Sequence, residues 1–178
     1  MHMEHLKLSP LLKEAALADR VNAIGTAIKE QFKDDEEIVA ICVLKGSFMF
    51  FSDLIRAIDS NVICEFFGVS SYHGASSSGE VKLTLDLNTP IENKNVVLVE
   101  DIVDTGLTMN YLIKNISARS PKSLTTVTLL HKPAAKKVDC KLDHVGFEIE
   151  NNFVVGYGLD YLGYYRNLPY IAEVQNIN

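Results

Sequence analysis

Basic residues are outnumbered in this sequence: 17 lysines and arginines stand against 23 aspartates and glutamates, a net charge of −6. Binding a nucleic-acid backbone calls for a basic surface, so nucleic acid is not expected as a partner. A small phosphorylated ligand is not excluded, because it needs only a few local donors. Cysteine is scarce too. Cys42, Cys64 and Cys140 lie far apart, without a CxxC pair or a histidine at zinc spacing. Cys42 and Cys64 sit in apolar runs and read as buried free thiols. An odd count without a framework fits a reducing compartment. No apolar run approaches the ~20 residues that span a bilayer. The opening MHMEHLKLSP lacks the apolar core of a secretion signal. A cytoplasmic protein with no membrane partner is expected. Repeats, low-complexity linkers and composition breaks are also missing, which points to one domain over 1–178.

What is present is an α/β pattern. Of the 178 residues, 47% are apolar, enough for a real core. Leu11, Leu12, Ala15, Leu17, Val21, Ile24 and Ile28 recur at helical spacing and predict an amphipathic helix over 10–32. EIVAICVL at 37–44 is a continuous β-branched run, the mark of a strand buried on both faces in a parallel sheet. Phe48 to Ile58 returns to helical spacing, and 61–69 reads as a second strand. Residues 70–80, SSYHGASSSGE, are small and polar and predict a mobile loop. VKLTLDL alternates like an exposed strand. Further strands are expected at 95–99, 123–130 and 153–157, and a helix at about 107–118. Alternating strands and helices imply a mostly parallel sheet.

Residues 96–109, VVLVEDIVDTGLTM, run a buried strand into three acids and a turn. Ligands of open α/β sheets bind outside the carboxyl ends of the strands. Glu100 and Asp101 are expected at such an end, on opposite sides by strand alternation. Thr105, Gly106, Leu107 and Thr108 open the next helix, whose free N–H groups, hydroxyls and dipole make an anion cradle; Gly106 lets the ligand approach closely. Acceptors at one edge and phosphate donors at the other suit a sugar phosphate. The two acids would take ribose hydroxyls and help hold Mg²⁺. The plain alternative is a strand-to-helix turn with Asp104 as N-cap.

The stretch resembles the phosphoribosyl pyrophosphate signature of type I phosphoribosyltransferases. The resemblance extends to LKGSFMF at 44–50, SSYHG at 70–74, VKLTLDL at 81–87, LLHKP at 129–133 and VGFEIENNFVVGYGLDYLGYYRNLPYI at 145–171. The last two segments are similar to those of the bacterial hypoxanthine-guanine branch. The fold this implies is a parallel sheet flanked by helices, with a small hood over the base built from the chain ends and residues near 145–175. The activity it implies is purine salvage: a 6-oxopurine base and phosphoribosyl pyrophosphate give IMP or GMP and pyrophosphate, with Mg²⁺. A xanthine-preferring relative, or a non-catalytic RNA-binding sensor of phosphoribosyl pyrophosphate, are the rival expectations.

The resemblance also assigns roles. The phosphoribosyl group falls to Glu100, Asp101 and residues 104–108. Asp104 is the acid or base facing purine N7. Leu44, Lys45, Gly46 and Arg166 take pyrophosphate, the Leu44–Lys45 bond as a candidate cis peptide. Ser71 and Tyr72 begin the closing loop. Lys132 donates to the 6-oxo group, Phe153 stacks on the base, and Val154 and Asp160 contact the base edge. Glu100, Asp101 and Asp160 are the metal ligands, and a homodimer or homotetramer is implied. Two departures stand out: His73 interrupts a Ser-Tyr-Gly run, and Leu85 replaces a lysine assigned to loop or interface contacts.

Overall fold

The apolar runs become the middle of a parallel sheet. The structure, a computed structural model, describes residues 6–33, 36–71 and 81–175. Its elements are β1 (Leu8–Leu12), α1 (Glu14–Lys29), β2 (Ile38–Leu44), α2 (Phe48–Ile58), β3 (Val62–Ser71), β4 (Val81–Leu85), β5 (Asn95–Val103), α3 (Leu107–Ser117), β6 (Ser123–His131), β7 (His144–Glu148), β8 (Val154–Val155) and β9 (Ile171–Val174). The large sheet has the order β4-β3-β2-β5-β6-β7, parallel except for the edge strand β4.

Central strands buried on both faces need no polar alternation. In β5, Val97 and Val99 pack with Leu17, Val21, Phe50 and Leu54 of α1 and α2. Val96 and Leu98 pack with Met109, Leu112 and Ile116 of α3. The side with α1 and α2 also holds Cys42, whose thiol burial pushes up to about 12. Such a thiol is inert. Among the described residues no helix is long and apolar enough to cross a membrane.

Four expectations change. Leu11 and Leu12 belong to a strand, and the helix starts at Glu14 with Ala15 exposed. β1 instead pairs antiparallel with β9, with a register shift between Pro10 and Leu12. Proline tolerates such an edge or bulge and not a helix interior. Residues 153–157 do not form a strand of the large sheet: only Val154 and Val155 are strand, in a separate sheet of order β1-β9-β8. β5 continues through Glu100 and Asp101 to Val103, so both acids lie within the strand. Cys64 is exposed, because in β3 the face carrying Cys64 and Phe66 is open while Glu65 and Phe67 are buried. β7 and β9 were not foreseen.

Candidate active site

The carboxyl ends of β2, β3 and β5 meet the start of the segment after β6 and the coil after β8. They enclose a cavity of about 780 Å³. Leu44, Lys45, Gly46, Asp101, Asp104, Lys132, Phe153, Val154, Asp160 and Arg166 all line it. Ten residues that the sequence placed in one site are thus brought together. Glu100, Thr105, Gly106, Leu107 and Thr108 are not part of the lining. Tyr72 and His73 lie outside the described residues, and Ser71 ends β3.

The turn after β2 is packed tightly. The Leu44–Lys45 peptide is cis. A Cβ on Gly46 would fall 1.5 Å from Asp101 Oδ2, so only glycine lets this carboxylate lie against the turn. Asp101 Oδ1 accepts from the Ile102 amide at 2.7 Å. Burial outweighs these bonds and lifts Asp101 from 3.8 to about 6. Glu100 is buried, and Oε2 has no partner. Burial, then the charges of Asp101 and Asp104, push it well above the usual carboxylate range. Alternation along the strand therefore does not spare the acids their mutual repulsion.

A stability test follows. Between pH 4 and pH 6 the folded chain holds the Asp101 proton more tightly than the unfolded chain does. The associated stability is complete below about pH 3.8 and is lost as pH rises through about 6. Asp101→Asn keeps an oxygen for the Ile102 amide and carries no charge. It should stabilise the protein by about 2 kcal/mol at pH 8, raising Tm by roughly 4–8 °C, with little gain at pH 4. Thermal unfolding at the two pH values checks this; equal gains at both would mean that burial of charge is not the cause.

The turn after β5 is built from behind. Asp104 does not cap α3: its Oδ1 takes the Thr105 amide, and the capping position belongs to Gly106. Thr105 Oγ1 accepts weakly from the Leu107 amide, at 3.4 Å. The Thr105 carbonyl accepts from the amides of Lys137 and Val138, both at 3.0 Å. Gly106 has φ +80, and a Cβ there would lie 2.3 Å from the Val138 carbonyl oxygen. The glycine is required by this neighbouring backbone, whatever ligand faces the other side.

At the β6 end, Lys132 Nζ donates to the Asn152 carbonyl at 2.7 Å, next to Phe153. An ammonium has three donors, so two remain. Desolvation lowers the Lys132 pKa, and Asp104 opposes this. Phe153 is 44% exposed and meets Tyr161 edge-on, with ring centroids 5.8 Å apart. The part-exposed ring lies in the cavity wall. Val154 is buried, which leaves its backbone as the part that can meet a ligand. Asp160 and Arg166 pair at 2.7 Å; Asp160 also accepts from the Gly163 amide, and Arg166 Nη1 donates to the Gly158 carbonyl at 2.5 Å.

Seven further residues line the cavity, among them Thr84 and Leu85. Gly68 pairs with Leu85 and Val69 with Leu83, so Thr84 is an extra residue in β4. Such bulges re-aim side chains beside active sites. Leu85 thus lines the cavity. The exposed alternation of VKLTLDL held no sign of the bulge.

A family model described as "Phosphoribosyl transferase domain" matches residues 10–162. The chain belongs to this phosphoribosyltransferase family. Within it, the phosphoribosyltransferase is 45% identical over 174 residues to the hypoxanthine-guanine phosphoribosyltransferase of Bacillus subtilis (strain 168), covering 97% of this chain and 96% of that one. It is 42% identical to the Dictyostelium discoideum enzyme of the same name, covering 93% and 94%. A crystal structure of a Bacillus anthracis hypoxanthine-guanine phosphoribosyltransferase superposes with a TM-score of 0.90 at 44% identity, covering 96% of this chain and all of that one. The hypoxanthine-guanine branch is the one the sequence resembled, and its sheet flanked by helices is the fold found.

Proposed function

We propose that this phosphoribosyltransferase converts hypoxanthine or guanine, with phosphoribosyl pyrophosphate and Mg²⁺, to the nucleoside monophosphate and pyrophosphate. The observation that carries the proposal is Lys132, held through Asn152 beside the part-exposed ring of Phe153 in the same cavity wall. A stacking ring next to a group that can only donate selects a base with a carbonyl at C6. It disfavours the 6-amino group of adenine, which presents donors of its own. The plain alternative for a lysine, a solvated surface group, does not fit a side chain with a lowered pKa in a cavity wall.

A ring nitrogen of the base bonds to C1 of the ribose as the C1–O bond breaks, and the bonding pair leaves on pyrophosphate. Asp104 holds the N7 proton while the new bond forms. Lys45, the Gly46 amide and Arg166 face the pyrophosphate, and the Thr105–Thr108 turn takes the 5′-phosphate. Positioning and charge stabilisation supply most of the rate gain. Among the described residues no three acidic, histidine or cysteine side chains converge as a closed metal cage. The bare Glu100 Oε2 and the desolvated Asp101 are still the hard oxygen donors that suit Mg²⁺, which commonly keeps part of its shell for substrate phosphates. Glu100 and Asp101 would hold it beside the ribose, and Asp160 would hold a second ion that neutralises charge on the leaving pyrophosphate. The three-stranded sheet and the coil after β8 form the hood over the base, within one domain spanning 1–178. We place the enzyme in the cytoplasm as a homodimer or homotetramer; light scattering that showed only monomer would refute the assembly.

A spectrophotometric assay with hypoxanthine, guanine, xanthine and adenine tests the reaction. Nucleotide should form from the first two. Xanthine shares the 6-oxo group, so activity on it alone would keep the chemistry and change the reading at C2. Donor binding without any base reaction would favour the RNA-binding sensor. Lys132→Ala should lower the preference for hypoxanthine over adenine by about tenfold, since a hydrogen bond to a charged group is worth roughly 1.5–3 kcal/mol. Unchanged selectivity would remove Lys132 from the base site.

A further inference from the structure

Asp53 lies in the middle of α2 and Tyr157 in the coil after β8, and the reaction above uses neither. The Tyr157 hydroxyl donates to Asp53 Oδ2, while Arg56 pairs with Oδ1 of the same carboxylate. The Tyr157 ring is buried in the core under α1 and α2. Burial first, then the Asp53 contact, pushes its phenol upward, so it remains a donor at neutral pH.

The backbone turns sharply at this residue. Tyr157 has φ +50, between Gly156 at φ +101 and Gly158 at φ +103. A bulky side chain seldom adopts this region unless its surroundings hold it there. Here the Tyr157 amide donates to the Leu168 carbonyl at 2.8 Å and the Gly158 amide to the Arg166 carbonyl at 3.0 Å. The Arg166 side chain is bound by Gly158 and Asp160, both from the same coil. Where that guanidinium stands relative to Lys45 therefore depends on where the coil as a whole is fixed. Besides the packing of the Tyr157 ring, two contacts join it to α2 and the turn before it. One is the backbone approach of Gly158 to the Gly46 carbonyl. The other is the Tyr157–Asp53 bond.

We propose that the Tyr157–Asp53 hydrogen bond is a positioning contact for the pyrophosphate end of the site: it holds Asp160 and Arg166 opposite Lys45 and Gly46, and so sets the affinity for the diphosphate of the phosphoribosyl donor. This rests on the reaction assigned above. Apart from Asp160, which the base edge shares, the base end is anchored by other elements. Lys132 follows β6, and the Phe153 carbonyl accepts from the Val174 amide at 2.9 Å. Loss of the contact should therefore divide donor binding from base binding, which a general loss of packing would not do.

Tyr157→Phe keeps the ring in the core. It leaves Asp53, 39% exposed at its side chain, with Arg56 and solvent, so no buried polar group is orphaned. Its Kd for phosphoribosyl pyrophosphate by calorimetry should weaken about tenfold. The KM for hypoxanthine should stay within about twofold, and Tm within a few degrees. Asp53→Asn keeps an oxygen acceptor for Tyr157 and should stay within about threefold of wild type. Asp53→Ala removes the acceptor from a part-exposed site and should repeat the donor loss even if Tyr157→Phe folds poorly. Donor binding unchanged in Asp53→Ala, or equal losses for donor and base, would overturn the proposal. Wild-type protein that binds the donor but forms no nucleotide would instead overturn the assigned reaction, while the ratio of donor Kd values still decides the contact.

Discussion

Asp104→Asn lowers kcat by about a hundredfold or more while phosphoribosyl pyrophosphate binds within about threefold of wild type. The asymmetry follows from what the side chain does in each state. Asp104 is exposed to the cavity, and its Oδ1 accepts from the Thr105 amide. Asparagine has the same shape and keeps an oxygen for that amide, so the turn ahead of α3 retains its form. What disappears is the negative charge. In the ground state that charge faces a neutral base and contributes little. Under the proposed reaction, positive charge would develop on the purine as the glycosidic bond forms, and a carboxylate at N7 would stabilise it. The amide NH₂ would present a donor to a site that already carries a proton. Steady-state rates beside calorimetric donor binding separate the two quantities. Equal losses in both would show that Asp104 serves the donor and not the proton.

Gly158→Ala should be among the most damaging single methyl groups at the described glycines. At φ +103 an L-residue is strained, and the added carbon would sit 2.1 Å from the Gly46 carbonyl oxygen. That neighbour is backbone, so it cannot swing aside as a side-chain end can. Strain and clash together should cost about 3 kcal/mol or more, lowering Tm by roughly 6–12 °C. Donor binding should fall by at least about tenfold as Gly46 and Arg166 are pushed apart. Gly163→Ala is the control. Gly163 also has a left-handed backbone, φ +87, but nothing stands within 4 Å of its missing Cβ. It should show only the conformational cost, about 1 kcal/mol. Similar losses in both variants would mean that backbone strain, not contact with Gly46, governs the site.

How far the sequence could be read depended on whether a signal was local. β2 and β5 were plain because each is a β-branched run with both faces covered. The sequence 96–109 was plain because strand, acids and turn follow one another without a gap. β1 and β9 were hidden because they are short and pair with distant partners, which leaves no periodicity, and the same distant pairing hid that β8 belongs to a separate sheet. Pro10 was the available warning that the opening leucines were not helical. Cys64 was misjudged because an apolar run shows which residues could be covered, not what covers them. The reason for Gly106 lay with Val138, and the contact of Tyr157 lay with Asp53; neither neighbour is near in sequence. The ten cavity residues were found because the resemblance supplied that long-range information.

The pairing of β1 with β9, Leu8 against Val174, has a consequence for biosynthesis. Most neighbouring strands of the large sheet follow one another in the chain, so much of it can assemble as the chain leaves the ribosome; β2 and β5 are the exception, with α2, β3 and β4 between them. The small sheet cannot. Its middle strand is β9, among the last of the described residues to be translated, so β1 waits without that partner until β9 has been made. At about 5–20 residues per second, that wait lasts on the order of ten seconds. For the last part of that interval a nascent chain would already own the turn after β5 and its central acids, and would still lack the small sheet that, under the proposed function, is the hood over the base.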